Sequence, residues 1–222
     1  MAEACRNVSN NVIRRLPRYL RELDELQASG LKRVSSADLG SMLGLTPSQI
    51  RQDLNSFGGF GQQGYGYNIA DLRTELAEIL GMNHNYKAIL VGVGNMGLAL
   101  VHNFSFKDYG FTLECGFDIN PEIVGKTINH IPIYADVDMA EYLSKNDIDV
   151  AELCVPRRIA DVKVQELRTY GVKAIWNYTN VDIDNRENDL IIENMNFPDS
   201  LLALEYYITE RYRKGHGEES ST

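Results

Sequence analysis

The sequence predicts an α/β chain: a small helical head followed by a parallel sheet with helices between its strands. Three observations predict it. An apolar run too short for a helix, Ala88 to Val91, breaks into Gly92, Gly94 and Gly97 and resumes as Leu98-Ala-Leu-Val101, which suits a helix. A second strand pattern, Phe111 to Phe117, ends in Asp118, 21 residues past Gly97. Ahead of both, two short helical segments flank a turn, and then five glycines alternate with aromatics between Phe57 and Tyr67.

Residues 1–8 carry no strong pattern. From Asn10 onward Val12, Ile13, Leu16, Tyr19, Leu20, Leu23 and Leu26 recur at helical spacing. Pro17 places a helix start near it, and Gly30 closes the helix. Arg14, Arg15, Arg18 and Arg21 lie on or just before this segment; the ordinary reading of any one is a solvated face. Residues 37–44 form a short helix ending at Gly44. Thr46 suits the N-cap of the next helix, with Pro47 in its first position. Over residues 48–56 the apolar positions are Ile50 and Leu54, followed by Phe57. Ser48, Gln49, Arg51, Gln52 and Asn55 are left outward.

Helix, short turn and helix with a polar face on the second member is a helix-turn-helix pattern. Gln, Asn and Arg read base edges, and Ser bonds phosphate. The segment Phe57 to Tyr67 reads as a two-stranded ribbon with a glycine-rich tip, the wing of a winged helix, because aromatics are out of place in a solvated linker. The candidate DNA contacts are Arg14, Arg15, Ser48, Gln49, Arg51, Gln52, Asn55 and Ser56, with Gln62, Gln63 and Tyr65 on the wing. Leu72, Leu76, Ile79 and Leu80 give one more helix, and Gly81 to Tyr86 ends it. The domain boundary is placed there: 1–84 is the DNA-binding head and 85–198 the dinucleotide-binding domain.

Strand, glycine turn and helix is the context of a Rossmann dinucleotide fingerprint. Gly92 allows the tight turn, Gly94 lets the backbone approach a pyrophosphate, and Gly97 lets helix and strand pack. The amides of the new helix, over Val93, Asn95 and Met96, then face the phosphates. Asp118 suits the ribose hydroxyls and repels the extra phosphate of NADP, so NAD(H) is the expected ligand. The rest alternates in kind. Residues 121–125 are a loop or short helix, 128–134 a strand and its approach, and 139–143 a helix. Residues 149–155 are a strand, 158–170 a helix with Val162, Val164 and Leu167 partly inward, and 173–178 a strand. Val155, Pro156, Asn177 and Tyr178 stand at the carboxyl ends of strands, where ligands of open α/β sheets sit. The segment 199–214 is a helix apolar on several sides, through Leu201, Leu202, Leu204, Tyr206 and Ile208, and so needs more than one surface to bury it. Residues 215–222 read as a disordered tail.

Composition excludes several classes. The hydrophobic fraction of 44% and charged fraction of 24% are those of an ordinary soluble chain. The apolar runs are far short of a membrane span, and no export signal is visible. The three cysteines, Cys5, Cys115 and Cys154, have no metal spacing and read as reduced thiols of a cytoplasmic protein, with Cys115 and Cys154 in the core. The net charge of −9 is uneven: residues 1–66 hold eight Arg and Lys against six acids, +2, which leaves −11 elsewhere. A basic head on an acidic body suits contact with a polyanion through one end. His84, His102, His130 and His216 sit in no catalytic motif, and little chain remains for a substrate domain, so no enzyme and no metal site are expected. An NAD-dependent oxidoreductase stays as the rival class.

The run Arg51 to Tyr67 closely resembles the recognition helix and wing of Rex-type redox-sensing transcriptional repressors. The resemblance extends in order through Ser35 to Leu39, Ile79-Leu-Gly81, the glycine fingerprint, Phe117-Asp118, Val155-Pro156, Asn177-Tyr178 and Glu193 to Phe197. It implies a homodimer that binds a palindromic double-stranded operator and releases it when NADH replaces NAD⁺. It also implies that the last helix is exchanged between subunits and that Phe197 lines the nicotinamide pocket. The family couples an Arg, a Tyr and an Asp between subunits. Arg21 matches the Arg, but Asn103 stands at the Tyr position and Asn196 at the Asp position, and an Arg–Asn pair is not an ion pair. Gln52 replaces a usual Lys, and a usual basic residue near Gln63 is absent, which weakens phosphate attraction. These departures keep open a DNA-binding protein whose dinucleotide response is weakened or lost.

Overall fold

The computed structural model describes residues 8–58, 60, 65–184 and 189–217; side chains are described to residue 213. Two compact units divide the chain, 1–84 and 85–222.

The first unit strings α1 (Asn10–Ile13), α2 (Leu16–Ala28), β1 (Arg33–Val34), α3 (Ser36–Leu43), α4 (Pro47–Asn55), β2 (Tyr67–Asn68) and α5 (Ile69–Ile79) around one apolar cluster. The cap expected at Thr46 is present, and two more appear at Ser35 and Asn68. Ser35 Oγ accepts from the amide of Asp38, Thr46 Oγ1 from Gln49, and Asn68 Oδ1 from Ala70. Gly44 ends α3 in the left-handed conformation at φ +68°. Leu16, Tyr19, Leu23, Leu39, Ile50, Leu54 and Leu76 are buried together. The helical pattern from Asn10 is interrupted at Arg14-Arg15 and restarts at Leu16, with Pro17 in the first turn of α2 as its position predicts. One expectation changes, the ribbon: β2 pairs antiparallel with β1, which lies ahead of the helix-turn-helix. Phe57 and Phe60 pack on the cluster instead of forming the other strand. Gln62 and Gln63 lie outside the described residues, as do Cys5 and most of the N-terminal segment.

The second unit is a seven-stranded sheet in the order β5-β6-β4-β3-β7-β8-β9. Its members are β3 (Tyr86–Val91), β4 (Phe111–Asp118), β5 (Thr127–Ile128), β6 (Ile131–Ala135), β7 (Val150–Leu153), β8 (Ala174–Asn177) and β9 (Ile191–Asn194). All pairings are parallel except the β5–β6 hairpin. Between the strands lie α6 (Asn95–Asn103), α7 (Met139–Lys145) and α8 (Ala160–Thr169), and α9 (Phe197–Gly217) follows the sheet. The central strands are apolar on both faces, with Ala88, Ile89, Leu90 and Val91 all fully buried.

Four expectations are corrected here. Residues 128–134 are two strands joined at Asn129 and His130, both at positive φ, the backbone a tight hairpin requires. Val162 points outward, 68% exposed, while Val164 and Leu167 are buried; the helical period puts 160, 164 and 167 on one face. The strand β9 was not expected at all. The last helix starts at Phe197 and continues through Gly217, so the boundaries at 199, 214 and 215 do not mark its ends. Residues 218–222 of the expected tail lie outside the described residues.

Candidate dinucleotide site and nucleic-acid interface

The chain leaves β3 through three glycines with different surroundings. Gly92 sits at φ +92°, and a Cβ there would lie 2.7 Å from the Cys154 carbonyl. A Cβ on Gly97 would lie 2.3 Å from the Gly92 carbonyl, so α6 can approach the strand this closely only without a side chain. Gly94 faces open space: nothing stands within 4 Å of its missing Cβ. Gly94 is also the N-cap of α6 and offers no side-chain cap. First-turn N–H groups have no acceptor within their own helix, so a phosphate at this end would meet donors.

Asp118, at the end of β4, holds this turn from below. Its Oδ2 accepts from the Val93 amide at 2.6 Å and its Oδ1 from the Asn120 amide at 2.8 Å. Each oxygen retains a lone pair for a ribose hydroxyl. The Val93 side chain is buried in the core, so only its backbone serves the loop; Asn95 is exposed and Met96 half-buried.

Beyond β7 and β8, Val155 is buried and Pro156 exposed. Tyr178 is buried against Trp176, ring centroids 4.9 Å apart, and burial with Cys154 and Glu152 nearby pushes its hydroxyl above the ordinary range. Burial likewise pushes the Cys154 thiol up to about 12. Asn177 is engaged within the fold. Its Nδ2 donates to Val181 O and Asn194 Oδ1, each at 2.7 Å, and its Oδ1 accepts from the Thr179 amide and hydroxyl. It ties the loop after β8 to β9, and its side chain has no capacity left for a ligand. Phe197 opens α9 and is 51% exposed.

Sequence reasoning passed over Glu152. It is 1% exposed on β7, and its Oε2 has no hydrogen-bond partner among the described residues. Burial raises its pKa well above the ordinary value. It lines a groove of about 510 Å³ with Phe104, Phe106, Tyr109, Trp176 and Ile191. Alternation along Val150-Ala-Glu-Leu153 puts Glu152 on a single face, and the apolar flanks were the available signal.

In the head, α3 and α4 meet tightly: a Cβ on Gly40 would lie 2.6 Å from the Leu45 carbonyl. On α4, Ser48, Arg51, Gln52 and Asn55 are exposed, and Ser56 at its end is half-buried with its hydroxyl on Gln52 O. Arg51 is held over the helix-turn-helix by Ser36 Oγ at 2.9 Å and Ser48 Oγ at 3.1 Å. Tyr65 is 70% exposed, its carbonyl accepting from Arg33. Arg14 is exposed, but Arg15 is not a free surface cation. Its guanidinium grips the buried Asp53 with Nε at 2.6 Å and Nη2 at 2.7 Å. Asp53 was not singled out in the sequence; a lone acid on a polar helix reads as solvated until the fold shows which face it occupies.

The three switch candidates are separately placed. Arg21 is exposed on α2. Asn103 bonds Ala99 O within α6, and Asn196 donates to Asp182 Oδ1 at 2.7 Å. Among the described residues no group of three His, Cys, Asp or Glu could hold a metal, and no helix is long and apolar enough to cross a membrane.

Known proteins match both units. A family model for a DNA-binding protein N-terminus matches residues 7–55, and the CoA binding domain matches 83–181. The redox-sensing transcriptional repressor Rex of Caldicellulosiruptor saccharolyticus is 44% identical over 206 residues, 93% of this chain and 94% of the relative. The chain belongs to the Rex family. Rex of Clostridioides difficile is 41% identical over 92% of this chain and 97% of its own. The crystal structure of the Rex-family repressor RSP with β-NAD⁺ and operator DNA superposes with a TM-score of 0.86 at 41% identity, covering 97% of this chain and 99% of that one. RSP with β-NADH gives 0.86 at 40% identity, over 94% and 98%. The Rex assignment thus spans head and sheet together.

Proposed function

We propose that this Rex-family chain acts as a homodimeric repressor on a palindromic operator, responding to the NADH/NAD⁺ ratio, with NADH releasing DNA. The observation that carries this is the pairing of an exposed polar helix, α4, with an open glycine cradle at Gly94 on one chain. The relatives' names and the RSP structures with NAD⁺, NADH and operator DNA support it. A repressor acting on DNA with a nicotinamide dinucleotide as effector works in the cytoplasm, and no catalytic step is assigned to it.

The cradle fits the diphosphate at Gly94 and the α6 N-terminus, and the ribose at Asp118, whose carboxylate disfavours NADP(H). Val155, Pro156, Tyr178 and Phe197 then border the nicotinamide; Asn177 acts by holding the loop that carries Tyr178. Bound there, the dinucleotide supplies a ring that is cationic when oxidised and neutral when reduced. An apolar border disfavours the cation. The two forms therefore favour different subunit arrangements, limited by their difference in affinity. Each arrangement sets the spacing of two α4 helices, and only one spacing matches two half-sites. The exposed apolar side chains of α9 are the dimerisation surface, exchanged between subunits as in the resembled pattern. Arg14, Ser48, Gln49, Arg51, Gln52, Asn55, Ser56, Gln62, Gln63 and Tyr65 are the proposed DNA contacts, with Arg21, Asn103 and Asn196 at the switch.

The test is displacement of labelled operator DNA, followed by anisotropy as NADH or NAD⁺ is added. NADH is expected to displace at the lower concentration. Equal displacement by both would overturn redox sensing and leave DNA binding intact. Asn103 and Asn196, which cannot form the family's ion pair, favour a second reading in which the response is weakened; a shallow difference between the two titrations is its signature.

A further inference from the structure

The polar helix α4 carries an acid that faces into the head, opposite its exposed side chains. Asp53 is fully buried, although Gln52 and Asn55 beside it are exposed. Its Oδ1 accepts from Arg15 Nη2 and from Gln49 Nε2, each at 2.7 Å. Its Oδ2 accepts from Arg15 Nε at 2.6 Å and from the Tyr19 hydroxyl at 2.5 Å. Burial alone would raise the carboxyl's pKa, but the donors Arg15, Tyr19 and Gln49 outweigh it and hold the group below the ordinary range. Asp53 is therefore an anion that can only accept.

That fixes Gln49. A carboxamide turned the other way would set Oε1 against a carboxylate oxygen, lone pair to lone pair. Only one orientation is compatible with the network: Nε2 inward, with Oε1 and the second N–H left for the outer side. Thr46 caps α4, so Gln49 lies in its first turn, the part a helix-turn-helix presents to base edges.

We propose that Asp53 is a positioning residue that locks the Gln49 carboxamide so that it reads adenine in the major groove. An acceptor and a donor side by side match the N6 amino group and N7 of adenine. Guanine offers two acceptors at that edge and would meet Oε1 with a lone pair. An unlocked Gln could instead turn both N–H groups toward guanine. The proposal rests on the reading that α4 enters the groove. It also makes Arg15 a counter-ion within the head and not a phosphate contact.

The experiment selects half-sites from a pool of random-sequence duplex DNA at fixed salt and fixed NAD⁺, using the full-length dimer. The proteins compared are wild type, Q49A, D53N and the double variant Q49A/D53N. Wild type is expected to demand an A·T pair at one position of each half-site, and Q49A to lose that demand. D53N should relax the same position by about tenfold while the other positions hold, and the double variant should be no broader than Q49A. Should D53N fold poorly, the pair R15L/D53N, which removes the stranded cation, carries the same test. If Q49A relaxes one position and D53N keeps it, or weakens all sequences equally, the Asp53 proposal is overturned alone. If Q49A changes no position, the placement of α4 in the groove falls with it.

Discussion

At the scale of single residues, the three glycines after β3 separate fold from ligand binding. A methyl group on Gly94 enters open space, at an extended backbone that alanine accepts. G94A is expected to leave the melting temperature within about 1 °C, since it disturbs no packing. NADH affinity should fall about tenfold or more, because the methyl group occupies the diphosphate's approach. G97A does the reverse first: a methyl group 2.3 Å from the Gly92 carbonyl forces α6 off the strand. It should destabilise by about 1–3 kcal/mol, the range of overpacked sites. Calorimetry and a fluorescence titration with NADH on both variants check the pair, and a G94A protein that binds normally would remove the glycine cradle from the site. A second residue-scale case is Asp182. The Asn196 amide rests on its carboxylate, so an acid stands beside the position where the resembled pattern carries its own. If Arg21 of a second copy engages this corner, D182N should leave NADH affinity unchanged and reduce NADH-driven release of operator about fivefold or more. Affinity measured by isothermal titration and release measured by anisotropy separate the two effects.

At the scale of elements, the head was largely legible because its signals are local. Thr46 caps α4 with its own side chain, and Pro47 and Gly44 punctuate the turn before it. The failures were contacts between distant segments. The partner of Tyr67-Asn68 is Arg33-Val34, and no periodicity within 57–67 encodes that. The strand β9 is four residues long at the sheet's edge, with Ile191 exposed, too short and too mixed to stand out. Standing at the carboxyl end of a strand points Asn177 at the pocket; its commitment to Val181, Thr179 and Asn194 depends on β9, which no sequence signal marks. The α9 helix raises its own prediction. Leu201, Leu202, Leu204, Tyr206, Tyr207 and Ile208 are all at least 47% exposed, an apolar surface that a helix in water does not keep uncovered. Removing residues 197–222 should convert the dimer to a monomer in light scattering. Operator affinity should fall by about a hundredfold or more, because two half-sites are no longer held by one particle. A truncated chain that remains dimeric would move the subunit interface off α9.

At the scale of the whole molecule, two buried acids give the units opposite responses to pH. Asp53 in the head is held below its ordinary pKa, with burial opposing and the donors Arg15, Tyr19 and Gln49 prevailing. Its contribution is present above the unfolded value of about 3.9 and is lost as pH falls through the folded value. Glu152 in the sheet unit is shifted the other way, because burial disfavours its charged form and no donor among the described residues reaches Oε2. Its contribution is complete below the unfolded value of about 4.3 and is lost progressively as pH rises toward the folded value. Of these two acids only Glu152 changes the balance between pH 5 and 8, so its term should weaken the sheet unit across that window while the Asp53 contribution stays constant. E152L tests this directly. Leucine suits a surface made by Phe104, Phe106 and Trp176, and it leaves no oxygen unpaired. Near pH 5 the variant should gain only the small advantage of removing an unsatisfied neutral carboxyl, about 1–3 kcal/mol. By pH 8 the advantage should be larger, since wild type must hold a proton that its unfolded chain releases. Urea melts of both proteins from pH 5 to 8, followed by the fluorescence of Trp176 beside the groove, give the two curves. Divergence with rising pH assigns the slope to Glu152. Parallel curves would mean that another group carries it, or that a partner's donor reaches Oε2 once two copies associate.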